Sequence, residues 1–120
     1  MADIIVRIPE NQVAHFLNDK LATDFTYWRF TFRPLKLKTG DYIFFTLPHG
    51  TSFASKVTAI LSGDDDEFSG YLDLPGNWNA VWNGETTVKF EPPIEEINYA
   101  HRGFRYLTKS EQKKLRARLN

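Results

Sequence analysis

Basic and aromatic side chains are interleaved in two stretches of this chain, one before Gly40 and one around Tyr106. Cations hold phosphates while aromatic faces stack on bases, so this combination suits single-stranded RNA or a flipped base. The alternative is a solvated face above ordinary aromatic packing. The candidate nucleic-acid-binding residues in these stretches are Tyr27, Arg29, Thr31, Arg33, Lys36, Lys38, Arg102, Arg105 and Tyr106.

Two tryptophans provide a second candidate, an aromatic pocket. Trp78 and Trp82 are four residues apart, which places both on one face of a strand, and Ala80 between them leaves space for a planar ring. The alternative is a pair of core tryptophans that closes the fold. The sequence leaves both interpretations open.

Positive charge is concentrated near the C-terminus, although the formal net charge of the chain is zero. Between Arg102 and Arg118 there are seven basic residues and one acidic residue, Glu111. Lys109, Lys113 and Lys114 therefore join the candidate nucleic-acid-binding residues, with an affinity that depends on salt. The alternative is a solvated helix whose cations complement the negative end of the helix dipole.

The composition argues against several kinds of chemistry. The chain has no cysteine, and His15, His49 and His101 do not share the spacing of metal ligands. It also lacks a glycine-rich phosphate loop and a serine-elbow motif. We therefore expect no metal and no cofactor, leave the catalytic residues unknown, and favour a binding protein over an enzyme.

Length and hydropathy are typical of one folded domain, which we place at residues 1–120. The chain is 42% hydrophobic and 15% aromatic, unlike a disordered segment. No apolar run approaches the roughly 20 residues that span a bilayer. The start Met1-Ala-Asp-Ile lacks the features of a signal peptide, so we expect a cytoplasmic protein that does not enter a membrane.

The N-terminal half predicts strands around one short helix. A β-branched strand is followed by Pro9, which suits a helix first turn, and Val13, Phe16 and Leu17 have helical spacing. Gly40 allows a tight turn with a positive φ. The predicted segments are a strand at Asp3–Ile8, a helix at Pro9–Asn18, and strands at Thr26–Arg33, Asp41–Leu47 and Phe53–Leu61.

The C-terminal half predicts further strands and a last helix. Asn83-Gly84 is typical of a type I′ hairpin, here joining Trp78–Trp82 to Thr86–Glu91. Thr108 and Glu111 have the spacing of a capping box at a helix start. Strands are predicted at Phe68–Leu74 and Gly103–Leu107. The expected fold is α+β, a small, mostly antiparallel β-barrel with one helix after the first strand and a C-terminal helix.

Two stretches resemble the PUA-like superfamily, and its ASCH and EVE branches are closest in size. They are the turn Lys38-Thr39-Gly40-Asp41 leading into Tyr42-Ile-Phe-Phe-Thr46, and the strand-to-helix unit His101–Glu111. The resemblance implies RNA binding, and some branches hold a modified base in an aromatic pocket. We therefore expect a nucleic-acid-binding module that recognises RNA, including a modified or flipped base.

Two alternative functions remain open at this point. The resemblance to ASCH amidohydrolases that act on acetylated cytidine implies a small hydrolase for a modified nucleoside. Alignment on the turn places Thr31 at the threonine of those enzymes but Trp28 at their lysine, and the neighbouring Arg29 cannot serve as a base because a guanidinium stays protonated. The other alternative is a protein-binding adaptor from a mobile element.

Overall fold

The computed structural model describes residues 2–19, 21, 26–30, 35–62, 78–94 and 104–119. Within these ranges the chain forms eight strands and two α-helices, and a 3-10 turn at Glu10–Gln12 leads into the first helix. In chain order they are β1 (Ile4–Arg7), α1 (Val13–Asp19), β2 (Thr26–Phe30), β3 (Tyr42–Thr46), β4 (Ser52–Lys56), β5 (Ala59–Ser62), β6 (Trp78–Trp82), β7 (Val88–Phe90), β8 (Phe104–Tyr106) and α2 (Lys109–Arg116).

The strands form two sheets. The first sheet has the order β7-β4-β3-β1-β8, and the second has the order β2-β6-β5. Only β1 and β3 run parallel among the described strand pairs. The fold is therefore α+β and mostly antiparallel, as predicted.

The closed barrel that we expected is not seen among the described strands. The first sheet ends at the edge strands β7 and β8, and neither of them pairs with the second sheet. The chain leaves the first sheet after β4, because the amide of Val57 donates to the carbonyl of Asp41 while the amide of Thr58 donates to Val81 of β6. The predicted strand Phe53–Leu61 is thus two strands, one in each sheet.

The two faces of the first sheet bury different partners. One face packs on the second sheet and on Phe16 of α1; we call this the inter-sheet core, and it includes Ile4, Val6, Phe45 and Trp82. The other face packs on α2 through Leu115; we call this the helix-side core, and it includes Ile5, Phe44, Ala54, Phe90, Ile94 and Leu107. Successive strand residues point to opposite faces, so a strand covered on both sides is apolar throughout.

The predicted hairpin at Asn83-Gly84 is wrong. Asn83 has φ −89°, and residues Gly84–Thr86 form a 3-10 turn instead. The side-chain Oδ1 of Asn83 accepts a hydrogen bond of 2.9 Å from the amide of Glu85. This turn carries the chain from β6 in the second sheet to β7 in the first. The predicted strand Phe68–Leu74 lies outside the described residues.

The first helix buries less of its predicted apolar face than expected. Phe16 is fully buried in the inter-sheet core and Val13 packs against that core, but Leu17 remains 41% exposed. The helix therefore covers the edge of the core mainly through Phe16, which contacts the rings of Trp28 and Phe45.

Candidate functional site

The predicted turn before β3 is formed as the sequence indicates. Gly40 has φ +95°, and its amide donates to the carbonyl of Val57. The amide of Asp41 donates to the carbonyl of Lys38 at 3.0 Å, and the Asp41 carboxylate accepts from the amides of Lys38, at 3.0 Å, and Ala2, at 3.3 Å. The carboxylate thus ties the turn to the start of β1 and leaves the Lys38 side chain exposed.

The segment before this turn is attached to the edge strand β8. The amide of Lys36 donates a 2.9 Å hydrogen bond to the phenol oxygen of Tyr106. The Lys36 ammonium lies 5.7 Å from the centre of the Tyr106 ring, within the range of a cation–π contact. Tyr106 in turn packs edge-on against Phe104, with ring centres 5.5 Å apart. A cation and an aromatic ring are therefore held together at the edge of the first sheet.

Lys36 also lines an open concavity of about 490 Å³. We call it the basic concavity; its lining is formed by Ala2, Leu35, Lys36, Lys38, Thr39 and Asp41. Asp41 is 7% exposed and accepts two backbone hydrogen bonds, whereas both lysines are exposed. Leu35 is 74% exposed and adds an apolar patch. Positive charge therefore dominates the accessible surface of the concavity.

The other predicted residues do not all meet here. Trp28 and Phe30 of β2 face the inter-sheet core. Because side chains alternate along a strand, Tyr27 and Arg29 lie on the outer face of the second sheet. Lys109, Lys113 and Lys114 are exposed on α2, which covers the opposite face of the first sheet. Three predicted residues lie outside the described part of the chain: Thr31, Arg33 and Arg102.

The tryptophan pair does not form an open pocket around Trp82. Trp82 is 1% exposed and Ala80 is fully buried, and both belong to the inter-sheet core. The Trp82 ring lies 5.2 Å from the ring of Phe45, and Ala80 is the strand partner of Trp28. The space left by Ala80 is thus part of the core, as the alternative interpretation has it. Trp78, at the start of β6, is partly buried.

Arg105 points to the α2 side of β8 and is held by an acidic residue. Its guanidinium donates to both carboxylate oxygens of Glu111, at 3.0 and 2.9 Å. Glu111 also completes the predicted capping box: it accepts from the amide of Thr108, and its own amide donates to the Thr108 hydroxyl. The hydrogen bonds from Arg105 are the main cause that lowers the pKa of Glu111 to about 2.

We expect Glu111→Gln to reduce the acid sensitivity of the protein. A carboxylate whose pKa is lowered by folding stabilises the fold above its ordinary pKa of 4.5, and this contribution is lost as the pH falls towards about 2. The variant lacks the titrating group, so its free energy of unfolding should change less over this range. Urea denaturation at several pH values measures this. Glu91→Gln is the control because Glu91 forms an exposed surface pair with Lys89; an acid response of Glu111→Gln equal to that control contradicts the prediction.

A buried ion pair that the sequence analysis missed joins the two ends of the chain. Arg116 of α2 donates to both carboxylate oxygens of Asp3, at 2.6 and 2.7 Å, and Asp3 is fully buried. The hydrogen bonding of its guanidinium to the Asp3 carboxylate is the main cause that raises the pKa of Arg116. Asp3 Oδ1 also accepts from the amide of Tyr42, whose ring lies 4.9 Å from the Arg116 guanidinium. The sequence signal that could have indicated this ion pair is Asp3, an acidic residue directly before a mainly apolar strand.

Trp28, at the position aligned with the lysine of the hydrolases, is partly buried and packs against the inter-sheet core. Trp28 packs edge-on against Phe16, at 6.1 Å, and Phe45, at 6.0 Å. Its ring therefore stabilises the contact between α1 and the two sheets.

The described residues contain no recognisable metal site, and the chain matches no known protein. Within the described residues, no three His, Asp or Glu side chains are grouped as a metal site requires. No described helix combines the length and the apolar character needed to cross a membrane. Comparisons with protein-family models, with curated proteins and with solved structures found no match. The fold is therefore assigned to the α+β class and to no family. The observations that bear on function are the charges and side chains at the surface.

Proposed function

We propose that this protein binds single-stranded RNA through the basic concavity and Tyr106. The observation that carries the proposal is the position of Lys36: it lines the concavity, its amide donates to the Tyr106 hydroxyl, and its ammonium lies over the Tyr106 ring. This arrangement joins a phosphate-binding cation to an aromatic surface.

The chemistry of the concavity fits a sugar–phosphate backbone. Lys36 and Lys38 are separated by one residue, Leu37, which is buried, and both lysines line the concavity. A phosphate that contacts both releases the counterions condensed around it, which favours binding at low salt. The hydroxyl of Thr39 lies on the same wall; it donates to the carbonyl of Thr58 at 3.5 Å, and its oxygen can accept a hydrogen bond from a ribose hydroxyl.

The base would stack beside the backbone site. Tyr106 is partly exposed at the edge strand, and Leu35 adds an apolar surface on the other side of Lys36. Stacking on an aromatic side chain contributes about 1–3 kcal/mol for each base and tolerates different sequences. Trp82 does not contribute to the proposed site because it lies in the inter-sheet core. A modified or flipped base, which the PUA-like resemblance implies, would be recognised at Tyr106.

The lysines of α2 form a second positive surface. Arg105 and Tyr106 are neighbours on β8 but point to opposite faces, so the helix lysines lie on the other side of this edge strand. Lys109, Lys113 and Lys114 would contact phosphates of a strand that continues around β8. Their contribution would be electrostatic and independent of sequence.

The test is charge reversal with a matched control. Lys36→Glu/Lys38→Glu should weaken binding of a labelled single-stranded RNA, measured by fluorescence anisotropy, by about tenfold or more, equivalent to about 0.7 kcal/mol for each lysine. The control is Lys56→Glu/Lys89→Glu, which changes the net charge by the same amount. These two exposed lysines lie on β4 and β7, the two strands farthest from β8 in the order of the first sheet.

The control decides between a site and a general charge effect. Equal losses in the two double variants would contradict the basic concavity as the binding site. Absence of saturable binding by the unmodified protein would contradict RNA binding altogether and favour a protein-binding adaptor.

A further inference from the structure

The Asp41 carboxylate lies between backbone donors and a cation of α2. Its Oδ2 atom accepts from the amides of Ala2 and Lys38, at 3.3 and 3.0 Å. Its Oδ1 atom lies 4.0 Å from the Arg116 guanidinium. Asp41 also lines the basic concavity, together with Lys36 and Lys38. An acidic group is therefore part of a surface that we propose to bind phosphates.

The position of Asp41 has an electrostatic consequence for that surface. The carboxylate stabilises the turn before β3, but it also places a negative charge beside the two lysines. Asp41 is 7% exposed, so water and salt screen its charge less than they would screen a charge at the surface. Unless a cation compensates it, this charge lowers the affinity of the concavity for an anion.

The end of α2 supplies that cation. Arg116 donates to both carboxylate oxygens of Asp3, and the same guanidinium faces Asp41. Hydrogen bonding to Asp3 is the main cause that raises the pKa of Arg116, and the charge of Asp41 adds to it. Gln112 of the same helix accepts from the amide of Asp3 at 3.1 Å. The helix is therefore attached to the start of β1, directly after Ala2 in the wall of the concavity.

We infer that Arg116 sets the affinity of the basic concavity for phosphate groups by compensating the negative charge of Asp41. This inference rests on the proposed RNA binding and adds to it a residue of another element. Arg116 is a positioning residue, because it acts through Asp41 and does not touch the RNA. One guanidinium faces the two carboxylates of Asp3 and Asp41, so its loss leaves both charges uncompensated beside the lysines.

The test compares variants of Arg116 for affinity to a labelled single-stranded RNA by fluorescence anisotropy at about 50 mM salt. Arg116→Met should weaken binding by about threefold or more, whereas Arg116→Lys, which keeps the charge, should stay within about twofold of the unmodified protein. The control is Lys89→Met, which removes the same charge from a side chain of β7 that is 57% exposed. It should also stay within about twofold. A loss in either Arg116→Lys or Lys89→Met that equals the loss in Arg116→Met would overturn the inference.

Asp41→Asn/Arg116→Met separates the charge of Asp41 from the stability of the fold. The asparagine oxygen can still accept from the amides of Ala2 and Lys38, so the turn should be kept. Asp3 remains buried without its cation, so the melting temperature should stay low, while RNA affinity returns to within about twofold of the unmodified protein. Binding is measured below the melting temperature of each variant, as followed by circular dichroism. An affinity as low as that of Arg116→Met would overturn the inference.

Asp41→Asn alone provides the test if the variants without Arg116 do not fold, because it keeps the pair of Asp3 with Arg116. It should bind the RNA about twofold to threefold more tightly than the unmodified protein, and unchanged or weaker binding would overturn the inference. Absence of saturable binding by the unmodified protein would overturn the proposed function and this inference with it. Saturable binding that is unchanged in Arg116→Met would overturn the inference alone.

Discussion

Trp82→Ala is expected to lower the free energy of unfolding by about 4 kcal/mol, because it removes a large ring from a packed core. Trp82 is 1% exposed and lies between the two sheets, with its ring 5.2 Å from that of Phe45. Both sheets would line the resulting cavity, and β6 is held in place by β2 and β5, so the site cannot collapse easily. Urea denaturation followed by circular dichroism measures the loss.

The matched control is Leu35→Ala, which removes an apolar side chain that is 74% exposed. Its free energy of unfolding should remain within about 0.5 kcal/mol of the unmodified protein. The contradicting result is a Trp82→Ala variant that is as stable as Leu35→Ala but has lost RNA affinity. That outcome would restore Trp82 as part of a binding pocket.

Arg116→Met is expected to lower the free energy of unfolding by about 3 kcal/mol. Methionine keeps the helix propensity and much of the apolar stem, so the main change is that the Asp3 carboxylate stays buried without its cation. Among the described residues, the hydrogen bond that remains to this carboxylate comes from the amide of Tyr42. This expected loss of stability lies at the low end of the range for breaking a buried ion pair, because the Arg116 side chain is 24% exposed.

Lys113→Met is the control for this ion pair, since Lys113 is exposed on the same helix. It should change stability by about 0.5 kcal/mol or less. The double variant Asp3→Asn/Arg116→Met should recover part of the loss, because no uncompensated charge remains buried. Equal stability of Arg116→Met and Lys113→Met, in the same urea titration, would show that the pair does not hold α2 on the sheet.

The features that the sequence predicted well are those with a local cause. Gly40 adopts the positive φ that its turn requires, and Thr108 with Glu111 forms the predicted capping box. β1 and β3 are apolar up to their last residues, Arg7 and Thr46, and each strand is found within a residue of its predicted ends. In each case a few neighbouring residues decide the conformation.

The features that the sequence did not predict depend on contacts between distant residues. Asn83-Gly84 suits a hairpin, but the pairing of β6 with β2 and of β7 with β4 places the two flanking strands in different sheets. Asp3 and Arg116 are 113 residues apart, and neither shows its partner in the sequence. The strand signals likewise could not show that the first sheet ends at β7 and β8 among the described strands.

The candidate site shows the same division. The basic and aromatic residues around Lys36 and Tyr106 were identified from their types, and the structure places these two in contact. The sequence could predict that Arg105 and Tyr106 point to opposite faces of β8. It could not predict that Arg105 would pair with Glu111 on the face away from Tyr106. A cluster of basic residues in sequence therefore became two surfaces on either side of an edge strand.

The most direct test of RNA binding at the basic concavity is the salt dependence of affinity for a labelled single-stranded RNA. Between about 50 and 200 mM salt, the logarithm of the association constant should fall linearly with the logarithm of salt concentration. Lys36→Gln/Lys38→Gln should reduce this slope by about 1.4, at about 0.7 for each lost phosphate contact with a single strand. A slope equal to that of the unmodified protein, or no saturable binding by the unmodified protein, would contradict the proposal.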